Sequence, residues 1–181
     1  MPENKINAAK FLEAMEKDTF FRVSTELSNV KDQPRALILT TNGFLEMMVG
    51  TLANHFLKCK KIIIDNPAIY TYAIRLVLLY EKDILTEEQY GSMDLLRKER
   101  NRTAHEPIYE MNDDRLSAIQ RCAKLPGDTP YELFTAILSS LWNDYDKIFD
   151  KVYLKRSVEM FKMLGVPGSQ LTDVAFKPKK D

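Results

Sequence analysis

The sequence has little of what many specialised proteins depend on. Two cysteines, Cys59 and Cys122, in 181 residues are too few for a disulfide framework. The N-terminal stretch MPENKINAAK has neither the apolar core nor the small-residue cleavage pattern of an export signal. Reduced thiols and a cytoplasmic location are therefore expected. Two histidines, His55 and His105, exclude a His-rich metal site, and neither metal nor cofactor is expected. Net charge is also lacking: 26 basic residues balance 26 acidic ones, so the whole surface is not a trap for nucleic acid or anionic lipid. No apolar run approaches the roughly 18 residues of a membrane span, so no membrane partner is expected. Glycine is scarce, at six residues, and alternating Val- and Thr-rich stretches are missing, which disfavours sheet architectures.

What is present is helical periodicity. Apolar residues recur three and four positions apart almost throughout, so the chain reads as one all-α domain, a helical bundle over residues 1–165. A first helix is expected over residues 4–17 and a short second one after Asp18. A long apolar third helix, Pro34 to Lys58, should form the centre, with Pro34 in the first turn where no intrahelical amide is needed. Asn66-Pro67 reads as the start of a helix with Tyr70, Ala73, Leu76, Val77 and Tyr80 on its buried stripe. Thr86–Gln89 and Thr129–Glu132 read as capping boxes, and Asn112 as a further cap. The last helix carries its pattern from Thr129 to Gly165, long enough that a break near Tyr153 or an overhang into a partner is expected. Residues 166–181 read as a flexible tail.

One segment carries chemistry: Leu95 to Pro107, LLRKERNRTAHEP. At about 100° per residue, Tyr90, Met93 and Ala104 define the side expected to be buried. Arg97, Arg100 and Asn101 fall among them. Lys98, Glu99 and Arg102 fall on the expected solvated face. Asn101 and His105 are four apart and so are neighbours. Two arginines, an asparagine and a histidine beside a buried face are costly unless paired or set in a wet cleft. Such a group suits metal-free cleavage of RNA, whose 2′-hydroxyl is a built-in nucleophile. Imidazole can take or give the proton, guanidinium binds the crowded phosphate, and the carboxamide can orient either. The structural alternative has Arg100 paired with a buried carboxylate and His105 serving the helix C-terminus.

Arg100-Asn101-Arg102-Thr103-Ala104-His105 resembles the Arg-Asn-x-x-x-His signature of the HEPN superfamily of helical bundles, many of them metal-independent ribonucleases. The wider span Tyr72 to His105, following the apolar helix Pro34–Lys58, resembles the mannitol operon repressor (MtlR) family near that fold. The resemblance covers about residues 34–120. It implies Arg100, Asn101 and His105 as catalytic residues, with Glu46 of the central helix in support; Arg97, from the helical wheel, is a further supporting candidate whose ordinary reading is structural. It implies a homodimer with a shared cleft, RNA as substrate or ligand, and a protein partner of antitoxin or regulator type. A non-catalytic regulator binding a protein or small ligand in the same cleft stands beside the ribonuclease reading. A direct DNA-reading repressor fits less well, since no helix-turn-helix signature is present.

Overall fold

The computed structural model describes residues 23–152, and every regular element among them is a helix. The expected helix over residues 4–17, the tail and the chain beyond residue 152 lie outside the described residues. Residues 23–29 are helical and bury Val23 and Leu27. The next helix, α1 (Pro34–Phe56), starts at the proline as its missing amide allows and ends where Leu57 turns extended. It packs against four of the five helices labelled below and is the centre of the bundle. Leu37, Ile38, Leu45, Met48, Val49 and Leu52 lie fully inside, each contributing about 2 kcal/mol of burial. By length and mean hydropathy α1 could also cross a membrane, but half of the qualifying stretch is buried against its neighbours, as in any core helix.

A short helix, α2 (Lys60–Asp65), follows, where the sequence KKIIID offered no cap. Asn66-Pro67 does not open a helix. Its carbonyl instead accepts the amides of Ile69 and Tyr70 in a turn, and α3 (Tyr72–Tyr80) begins after Thr71. Leu76 and Leu79 are buried there, while Val77 faces outward.

The capping boxes form as expected. Thr86 and Gln89 open α4 (Glu87–His105), and Thr129 and Glu132 open α6 (Pro130–Asp144). Asn112 accepts the Arg115 amide at the start of α5 (Asp113–Ala123). The turn into α6 requires Gly127: its φ is +152°, and a Cβ there would sit 2.5 Å from the Leu133 nitrogen.

The expected long last helix is interrupted at Tyr145, eight residues before the expected break. The cause is tertiary. The Tyr145 hydroxyl donates to the Ile84 carbonyl, and its ring meets Phe56 edge-on at 5.9 Å. Helix resumes over residues 146–152, where buried Phe149 stacks on Trp142 at 5.2 Å.

Candidate functional site

Helices α1 and α4 run antiparallel and are tied in the middle and at one end of their contact. In the middle, the Asn42 Nδ2 donates to the Leu96 carbonyl at 3.1 Å. At one end, the Arg35 guanidinium donates to the carbonyls of Glu106 and Pro107, just past the end of α4. Two antiparallel helices are related by a twofold axis normal to their plane, so matching flanks of the two face the same side. On α1 that flank carries Arg35, Leu39, Gly43 and Glu46, at steps of four and three residues. On α4 it carries Arg97, Arg100, Asn101 and Ala104.

The buried stripe of α4 is Ser92, Met93, Leu96, Glu99 and Thr103. This corrects the helical wheel drawn from the sequence. Ala104 is exposed and Glu99 is only 5% exposed. A carboxylate can enter the core here because it is fully engaged. It accepts from the Tyr109 hydroxyl at 2.9 Å, and meets Arg102 at 3.1 Å and Arg115 at 3.6 Å. Burial and the bond to Glu99 hold the Tyr109 phenol well above its ordinary range. Glu99→Ala is expected to destabilise by about 2 kcal/mol, because it strands a buried phenol. In the Tyr109→Phe background the loss should be smaller, and urea denaturation of the four variants measures the coupling.

The motif therefore lies on the flank of α4 and not on its core face. Arg100 and His105 are exposed, while Asn101 and Arg97 are half-buried. His105 is the last residue of α4, where a cation is favoured by the helix dipole. The alternative in which Arg100 pairs with a buried carboxylate is not what the geometry shows, since Glu99 engages Arg102 and Arg115. Arg97 binds Asp94 at 2.7 Å and Lys98 binds the same carboxylate at 2.8 Å. Arg100 alone among the lysines and arginines of this segment has no carboxylate partner among the described residues. Its Nη1 reaches only the Asn101 Oδ1, at 3.3 Å.

Toward the other end of the flank, Glu46 is exposed and makes no ion pair or hydrogen bond among the described residues. Sequence reasoning also missed the Tyr72 hydroxyl of α3, because Tyr72 opens the apolar run YAIRLVLLY. That hydroxyl is buried without a hydrogen-bond partner, and so is the Arg75 Nε one turn further on. Burial pushes the Tyr72 phenol far up; Glu46 adds to the rise and Arg97 opposes it. The guanidinium of Arg75 lies along α1, where a Cβ on Gly50 would be 3.4 Å from it.

Asp94 sits in the same cluster. Partial burial would raise its pKa, but hydrogen bonds from Lys98 and Arg97 outweigh that and hold it below its ordinary 3.8. A carboxyl depressed by folding stabilises above its unfolded pKa, and that share is lost as pH falls through the depressed value. Asp94→Asn should therefore flatten the acid limb of the stability curve below about pH 4, as read by thermal melts from pH 2 to 7.

Among the described residues no three His, Cys, Asp or Glu side chains gather as metal ligands. A depression of about 540 Å³ lies at the start of α6, lined by Gly127, Tyr131, Glu132 and Thr135, and none of the motif residues touches it. Comparison with known proteins adds no relative: no family model, no curated protein and no solved structure matches the chain.

Proposed function

We propose that the chain is a HEPN-type, MtlR-like protein that binds and cleaves single-stranded RNA on the α1–α4 flank, using Arg100, Asn101 and His105. The observation that carries the reading is the guanidinium of Arg100 beside Asn101, which has no carboxylate partner among the described residues, whereas Arg97, Lys98 and Arg102 of the same segment each contact one. A free guanidinium on such a face suits a phosphate better than it suits stability. In the reaction, the ribose 2′-oxygen attacks the adjacent phosphorus and the bond to the 5′-oxygen breaks. The products are a 2′,3′-cyclic phosphate and a 5′-hydroxyl. His105 takes the 2′-hydroxyl proton or supplies the one that the leaving oxygen needs. Arg100 binds the non-bridging oxygens, and Asn101 holds the guanidinium in place. A second copy of the chain facing this flank would supply the other half of the acid–base pair.

The chelator assay tests this directly. Full-length protein is incubated with mixed RNA in excess EDTA, and fragments ending in cyclic phosphate are expected. RNA left intact at high protein concentration would remove the enzymatic reading. The non-catalytic regulator would then stand on another feature of the same flank. Leu39 is 45% exposed and Gly43 beside it has open space around it, an apolar surface suited to a protein partner.

A further inference from the structure

We propose that Arg35 is a second phosphate ligand on this face, taking the backbone phosphate next to the one held by Arg100. The inference rests on the RNA reading above for the source of that phosphate, and Arg35 lies outside the motif on which that reading was built. Arg97, Lys98, Arg102, Arg115 and Lys124 each meet a carboxylate at 3.6 Å or less. Arg35 and Arg100 are held by neutral oxygens instead. Arg100 reaches the Asn101 carboxamide. Arg35 donates to the carbonyls of Glu106 and Pro107, and both bonds leave from Nη2. Its Nε and Nη1 have no partner among the described residues, and no carboxylate there pairs with it, the Glu106 side chain included. A neutral oxygen fixes a guanidinium without cancelling its charge, so the donors left over are preorganised for an anion.

The position of Arg35 in its own helix supplies a second, independent observation. It stands in the first turn of α1, which has no side-chain cap and no acidic residue. The free amides and partial positive charge of such a turn attract an anion and oppose another cation. Spacing then decides how many phosphates are held. Glu106 follows Arg100 by six residues, which puts the Arg35 guanidinium about 9 Å beyond Arg100 along α4, with His105 in the turn between. That separation is too wide for one phosphate held twice and suits neighbouring phosphates of one strand. On the α1 side of this path Leu39 is exposed and Gly43 has open space around it, an apolar floor beneath the strand.

The test uses full-length His105→Ala protein, so that bound RNA stays intact, with an oligouridylate titrated at several salt concentrations. Adding Arg35→Gln is expected to weaken binding about 10-fold at low salt. It should also reduce the steepness of log affinity against log salt by about 0.7, the share of one single-strand phosphate contact. Arg35→Lys keeps the charge and should keep the steepness. Phenylglyoxal labelling of Arg35, read by mass spectrometry on protein with that arginine intact, should fall when the oligomer is bound, which tests the contact without disturbing the clasp. If Arg35 only ties the two helices together, both variants would lower the thermal midpoint, the salt dependence would not change and labelling would ignore the RNA. That result overturns the second phosphate site and leaves the RNA reading standing. Inorganic pyrophosphate is run in parallel: binding of it with the same Arg35 dependence, and none of RNA, would keep the site and end the RNA reading. Binding of neither would overturn both.

Discussion

His105→Ala is expected to lower RNA cleavage by about 10²- to 10⁴-fold, the usual contribution of a positioned acid–base group. Arg100→Ala is expected to lower it by about 10²- to 10³-fold through lost charge stabilisation at phosphorus. Both side chains are exposed, and neither is part of the Glu99 network or the Asn42 bridge, so unfolding cannot explain the loss. Thermal midpoints should stay close to wild type, within the roughly 0.5 kcal/mol typical of surface substitutions. The double variant should be little worse than the worse single one, because groups that act on one transition state are not additive. Rates measured by fragment release in EDTA decide the matter. Undiminished cleavage by both single variants would show that the chemistry lies elsewhere on the chain.

Asn42→Asp is expected to be the most damaging single-atom change in the bundle, at about 3 kcal/mol or more near neutral pH. Asn42 is 5% exposed, and its Nδ2 donates both to Ile38 of its own helix at 3.0 Å and to Leu96 of α4. A carboxylate there loses both donors and faces two carbonyl oxygens instead. Its pKa in the folded chain is raised above the unfolded value by burial, so the penalty is present above the carboxyl range and fades as pH falls. Urea denaturation at pH 4.5 and pH 7.5 should therefore show a larger deficit at the higher pH. Asn42→Leu gives the contrast: it forfeits the same bonds but buries no charge, and it also deletes the Asn42 Oδ1, which has no partner. Its cost should stay near 1 kcal/mol and be flat with pH.

The readable parts of this chain are those decided within four residues. Thr86, Asn112 and Thr129 cap their helices as their spacing suggests, because a cap joins a side chain to an amide three positions away. Two misreadings have partners farther away along the chain. Glu99 looks like surface on its own helix, and only Tyr109 and Arg115, from the following loop and helix, make its burial tolerable. Tyr145 ends α6 early because of Ile84 and Phe56. The site shows the same division. Arg100, Asn101 and His105 stand out as a motif in one helix. That Glu46 and Arg97 share a flank with them follows only from the antiparallel pairing of α1 and α4.

The clasp between Arg35 and the carbonyls of Glu106 and Pro107 joins positions 71 and 72 residues apart. Closing so large a loop is entropically slow compared with forming a helical turn. During synthesis the helix bearing Arg100 and His105 can coil on its local bonds, the Glu106 amide to the Arg102 carbonyl and the Thr103 hydroxyl to the Arg100 carbonyl, before this clasp closes. The last turn of α4 thus gains its anchor to α1 when the ends of the bundle meet, which couples the final placement of the motif to completion of the tertiary structure.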